Sequence, residues 1–154
     1  MLSEKEIKEI EEHLAHYPRK QAAVIEALKV VQFHRGYVSD ENVEDIAKLL
    51  DMTPDEVDSV ATFYNLIFRK PVGEHVILMC DSVSCWIMGY ENLKDHLSAK
   101  LGIDIGQTTS DNRFTLLTIP CLGACDRAPA MMIDNELYGN LTPQKIDEIL
   151  DKYK

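Results

Sequence analysis

The sequence predicts an α/β (α+β) chain, with a small helical bundle over residues 1–70 and a mixed strand and helix domain over 71–154. Three observations carry this. Apolar residues recur at helical spacing through the first 70 residues, with cap residues at the boundaries. Pro71, Val72 and Gly73 then break the pattern. Beyond them the apolar residues gather into short continuous runs of strand length. At 154 residues and 45% hydrophobic content, the chain buries a real core without covalent staples.

Ser3 and Glu6 form an S-x-x-E capping box, followed by Ile7, Ile10 and Leu14 at helical spacing before Pro18 closes the segment. Residues 20–34 predict a second helix, with Ala23, Val24, Ala27, Leu28 and Val31 on one face, ending before Gly36. Ile25, Val30 and Phe33 make it apolar nearly all round and place it centrally. Ser39 caps a third helix striped with Val43, Ile46, Ala47 and Leu50. Thr53, Pro54 and Glu56 supply cap, first-turn proline and N3 carboxylate for a fourth, with Val57, Val60, Ala61 and Tyr64 on one side.

After the linker, residues 75–79 form an apolar run leading into Cys80, read as a buried strand. A polar loop over 81–84 carries the chain to Cys85 and Trp86. Residues 90–101, striped with Leu93, Leu97 and Leu101 and stopped by Gly102, predict a helix. Residues 114–119 predict a second strand running into Pro120 and Cys121. Strand, helix, strand is a βαβ unit, whose strands lie parallel and end on one edge of the sheet. A hairpin around Asp134 and Asn135 follows, and Thr142 with Pro143 opens a last helix carrying Ile146, Ile149 and Leu150.

The chain holds four cysteines, Cys80 and Cys85 as C-x4-C and Cys121 and Cys125 as C-x3-C. Two close pairs at the ends of two parallel strands make a four-thiolate site, since the crossover closes the sequence gap between them. Thiolates suit zinc or iron–sulfur clusters. Structural zinc usually brings a C-x2-C pair, which is absent, and these wider spacings favour a [2Fe–2S] cluster in which each pair holds one iron. Disulfides and inert buried thiols are the plainer readings. The first 17 residues have no apolar core or cleavage site of a secretory signal, which argues against an oxidising compartment. Thioredoxin-type dithiol chemistry needs C-x-x-C, which is also missing.

The formal charge of −10 repels nucleic acid and anionic lipid, so the expected partner is another protein. No apolar run reaches membrane-spanning length, and the chain is expected to be soluble, without direct membrane insertion. Neither G-x-G-x-x-G nor G-x-x-x-x-G-K-[ST] occurs, so no recognisable nucleotide cradle is offered. His13, His16, His34, His75 and His96 are scattered and read as surface or half-buried residues rather than ligands. Asp81 and Asp126 adjoin cysteines as loop carboxylates. Trp86 either shields the site from water or belongs to the core. Met131 and Met132 read as packing residues. Gly123 and Ala124 lack bulk and suggest close approach of the second loop, and the acidic residues of 4–12 read as a solvated helix face.

The order β-α-β-β-β-α is thioredoxin-like in outline. The stretch Val60, Ala61, Thr62, Phe63, Tyr64, the C-D-S-x-x-C of 80–85, the C-L-G-x-C of 121–125 and the closing Met131, Met132, Ile133 together resemble the family of 24 kDa [2Fe–2S] subunits, the E subunits, of NADH:quinone oxidoreductase, complex I. That resemblance covers nearly the whole chain. It implies a thioredoxin-like ferredoxin domain behind a helical bundle, with Cys80, Cys85, Cys121 and Cys125 as ligands of one [2Fe–2S] cluster. It also implies a flavin- and NADH-binding partner, the F subunit, whose FMN passes single electrons to the cluster. The location implied is cytoplasmic, in the peripheral arm of an inner-membrane complex. All-cysteine ligation points to a low potential, in the direction of the roughly −400 mV of plant-type ferredoxins. Similar modules serve diaphorase units of NAD-linked hydrogenases and formate dehydrogenases, and a zinc-stapled interaction module is the reading from another class.

Overall fold

Capping boxes open three of the first four helices. In α1 (Glu4–Leu14) Ser3 and Glu6 satisfy each other's backbone donors, in α3 (Asp40–Leu50) Ser39 and Asn42 do so, and in α4 (Pro54–Phe63) Thr53 and Glu56. The computed structural model describes residues 1–153 and divides the chain into two units, Met1–Pro71 and Val72–Lys154. In the first, Ile10, Leu28, Val31, Ile46, Leu50 and Val57 form a closed apolar core.

Two expectations for this unit are corrected. The second helix does not begin at residue 20: Lys20–Ala23 is a single 3-10 turn, and α2 proper runs Val24–Arg35, where no side chain caps the start. Nor is the acidic face of α1 wholly solvated. Glu6 is buried and takes two hydrogen bonds from Arg35, Nε at 2.6 Å and Nη2 at 2.7 Å. Those bonds hold its carboxyl down to about 2, against the opposing cost of burial.

The second unit is a four-stranded sheet in the order β2-β1-β3-β4, built from β1 (His75–Cys80), β2 (Phe114–Ile119), β3 (Met131–Ile133) and β4 (Glu136–Tyr138). β1 and β2 are parallel, with Ile77 opposite Leu116 and Cys80 opposite Ile119. β3 lies antiparallel on the other side of β1, pairing Met79 with Met131. Alternate residues therefore share a face, and Ile77, Met79, Leu116, Met131 and Ile133 form one core with Leu93 and Leu97 of α6 (Tyr90–Leu101) and Ile146 and Ile149 of α7 (Pro143–Leu150). A hydrogen bond between His96 Nε2 and Asp147 Oδ1, 2.9 Å, ties the two helices together. The hairpin turn uses Asp134 at φ +52°, as the Asp-Asn pair predicts.

Among the described residues, no helix is long and apolar enough to cross a membrane.

Candidate metal centre

The register of β1 and β2 sets the site. Because the strands run parallel, both carboxyl ends reach the same edge: Cys80 closes β1, and Cys121 follows two residues after the end of β2, beyond Pro120. Cys80 is pinned from both sides: its N–H donates to the Ala130 carbonyl (3.1 Å), while the next N–H, of Asp81, donates to Ile119 (3.1 Å). Sequence reasoning passed over Ala130, whose part depends on pairing across some 50 residues that leaves no local pattern.

The expected polar loop after Cys80 is corrected. A short helix, α5 (Val83–Ile87), takes its place, held by N–H groups of Trp86 and Met88 donating to the carbonyls of Ser82 and Ser84. Gly89 at φ +106° ends this segment and starts α6. The turn points Cys85 inward. Cys80 and Cys85 are 3% and 2% exposed, and their thiols hydrogen-bond each other. Burial, reinforced by that bond, pushes the Cys85 thiol up to about 11, while the Ala130 backbone N–H pulls the other way. Trp86 is 60% exposed, so it is not core.

The second pair sits differently. Cys121 and Cys125 are both exposed. Their loop is irregular until a single 3-10 turn, Cys125–Arg127, and Cys121 Sγ accepts the Gly123 N–H at 3.3 Å. Among the protein's own atoms a Cβ on Gly123 would meet nothing within 4 Å, and its φ of +70° lies in the left-handed region that favours glycine. Behind the loop, the N–H groups of Asn140 and Leu141 donate to the carbonyls of Arg127 and Pro129, at 2.6 and 3.1 Å. Gly139 lies so close that an added Cβ would come within 2.5 Å of Arg127 Cβ. Here the peptide joining Ala128 to Pro129 is cis.

All four cysteines are free thiols. Cys80 and Cys85 touch, and Cys125 lies within electrostatic reach of Cys85, whereas Cys121 makes its contact inside its own loop. Among the described residues, no three His, Cys, Asp or Glu side chains converge on one point as a single ion requires. A tetrahedral zinc needs all four sulfurs about 2.3 Å from one centre. One buried and one exposed thiol pair, on two loops at one sheet edge, is a donor set that fits a two-iron cluster better than one zinc. Binding any such metal displaces the thiol protons.

Asp81 and Asp126, beside the cysteines, are exposed. Of the histidines, His34, His75 and His96 each pair with a carboxylate, Glu9, Asp134 and Asp147 respectively, between 2.7 and 2.9 Å away.

The sequence matches the family model of thioredoxin-like [2Fe–2S] ferredoxins over residues 10–154. It is 47% identical to the E subunit of NADH-quinone oxidoreductase from Pseudomonas aeruginosa and 51% identical to that from Escherichia coli K12. Each alignment spans 153 residues, 99% of this chain and 92% of the relative. Among solved structures, a chain of an NAD+-reducing [NiFe]-hydrogenase superposes with a TM-score of 0.67 at 26% identity, over 87% of this chain and 22% of that one.

Proposed function

The chain belongs to the thioredoxin-like [2Fe–2S] ferredoxin family, with the E subunits of NADH-quinone oxidoreductase, and on that premise we propose that it is the one-electron relay of such an enzyme. Cys80, Cys85, Cys121 and Cys125 hold one [2Fe–2S] cluster, and single electrons come to it from the FMN of a flavin- and NADH-binding partner, the F subunit. A bound cluster supplies a single-electron couple and no bond-making chemistry. The chain's own residues hold the sulfurs, keep water from the buried pair and aim backbone N–H groups at sulfur, which favours the reduced state. Hydride chemistry belongs to the partner, since the sequence offers no phosphate-cradling glycine motif. The assembly meant is the peripheral arm of the quinone-reducing enzyme.

The observation that supports this most is the parallel pairing of β1 with β2, which delivers both cysteine pairs to one sheet edge. The test is direct. Anaerobically purified protein should contain about two iron and two acid-labile sulfide per chain and give an EPR signal after dithionite reduction. Cys→Ser at any of the four positions should remove most of the visible absorption and the EPR signal while helical circular dichroism persists. Zinc without iron or sulfide, or an unaltered spectrum in Cys121→Ser, would sink the proposal.

A diaphorase unit of an NAD-linked hydrogenase is the second reading, favoured by the superposition on the hydrogenase chain. The 47–51% identity to quinone-enzyme subunits ranks it below the first. Co-purification with membrane-arm proteins or with a hydrogenase protein separates the two.

A further inference from the structure

We propose that Lys145 is a positioning residue for the second cysteine pair: its ammonium, donating to the Gly139 carbonyl, holds residues 139–141 against the loop that carries Cys121 and Cys125. This rests on the electron-relay reading above and names a residue on which retention of the relay's metal depends.

Lys145 stands where the other capped helices place a different kind of side chain. It is the third residue of α7, the position from which Glu6, Asn42 and Glu56 return a hydrogen bond to their caps in α1, α3 and α4. In α7 half of that exchange is made: Thr142 Oγ1 accepts the Lys145 N–H at 3.2 Å, and the lysine side chain returns no bond. A cation in the first turn also opposes the helix dipole, which favours carboxylates there. The lysine therefore costs α7 stability on both counts. A local rule broken in this way points to a gain made elsewhere.

The gain is at Gly139. Lys145 is half-buried, and its Nζ donates to the Gly139 carbonyl at 2.5 Å. No backbone N–H of the described residues donates to that oxygen, so without the ammonium it would stand unpaired at a half-buried position. The segment so held is not one that a free chain favours. An added Cβ on Gly139 would lie 2.5 Å from Arg127 Cβ, and Asn140 takes the left-handed backbone at φ +51°. Asn140 and Leu141 then direct their N–H groups to the carbonyls of Arg127 and Pro129. Lys145 anchors this brace from a helix whose Ile146 and Ile149 are fixed in the core. Arg127 in turn closes the 3-10 turn that begins at Cys125. Two contacts thus link the ammonium to a metal-binding turn, one from Nζ to Gly139 and one from residues 139–140 to Arg127.

The experiment uses the full chain with Lys145→Gln, which removes the charge and restores a T-x-x-Q capping box, and with Lys145→Arg, which keeps a donating cation. The metal-free glutamine variant should unfold at the wild-type urea concentration or above it, since its helix start is improved. In the same metal-free protein the amide hydrogens of Asn140 and Leu141 should exchange several-fold faster than in wild type. The cluster-loaded variant should lose iron to excess EDTA several-fold faster, and Lys145→Arg should bring both rates back close to wild type. A lysine that served stability alone would move the urea midpoint and the iron loss together. Wild-type exchange and iron-loss rates in Lys145→Gln overturn the proposal. So does a fall in its urea midpoint large enough to account for the faster rates, or an arginine variant as leaky as the glutamine one. Wild-type protein purified anaerobically without iron would end the relay reading, and the amide exchange would still decide whether Lys145 holds the brace.

Discussion

The two cysteine loops solve the same placement problem in opposite ways. The first continues a strand, is bonded on both sides and is closed by a helical turn, so its thiols are dry and touch each other. The second leaves its strand through proline into irregular backbone, with both thiols exposed, and is braced from behind by residues 139–141. One pair is thus enclosed by the chain itself. The other is placed without being enclosed.

Chemical labelling gives the largest expected contrast. In the metal-free chain at neutral pH, the exposed Cys121 and Cys125 should react with iodoacetamide faster than Cys85, which is buried and whose thiol is pushed up to about 11. Its labelling should accelerate steadily as pH rises toward 11. The sign for stability is opposite: the folded chain holds this proton more tightly than the unfolded chain, so stability is unaffected below about 9 and falls between about 9 and 11. Peptide mass mapping against time reads the rates. Equal labelling of Cys85 and Cys125 would erase the distinction between the loops.

Gly139→Ala attacks the second loop alone. Its Cβ would sit 2.5 Å from Arg127 Cβ and 2.8 Å from the Arg127 carbonyl oxygen, and that carbonyl is also bonded by Asn140. Overpacking against backbone of this kind costs about 1–3 kcal/mol. Urea unfolding should show the loss, and the variant should lose bound iron to a chelator faster than wild type. In the metal-free variant, Cys85 should still label at the wild-type rate. Faster Cys85 labelling would mean that the brace supports both loops.

What the sequence made legible follows the range of the interactions. Ser3, Ser39, Thr53 and Thr142 act within three residues of the donors they satisfy, and each opens a helix where expected. The runs at 75–79 and 114–119 declare strands by composition, and the intervening helix makes them parallel, so the arrival of the two cysteine pairs at one sheet edge was readable. Hidden features depend on distant partners or on weak local signals. Burial of Glu6 needs Arg35, 29 residues on. Helix α5 is five residues long with no side-chain cap and no apolar stripe facing inward, so V-S-C-W-I gives no helical period. Ser82 before it and Gly89 after it were the available signs. The brace behind the second loop and the place of Ala130 beside Cys80 exist only once the sheet has formed.

Gly123 provides the smallest and most discriminating test, because two explanations of that glycine predict different orders. Were the residue chosen for lack of bulk, every larger side chain would be penalised by size, and asparagine would do worse than alanine. The protein's own atoms leave nothing within 4 Å of an added Cβ and φ is +70°, so in the metal-free chain the penalty belongs to the backbone. Left-handed backbone costs an ordinary side chain about 1 kcal/mol, and asparagine less, since its short amide tolerates that region. Gly123→Ala should therefore lower stability to urea by about 1 kcal/mol and Gly123→Asn by less. With the backbone kept, the N–H bond to Cys121 Sγ should survive in the asparagine variant, leaving its spectrum closer to wild type than that of the alanine variant. If asparagine is the more damaging of the two, the second loop is crowded after all, and the contrast with the enclosed first pair loses one of its supports.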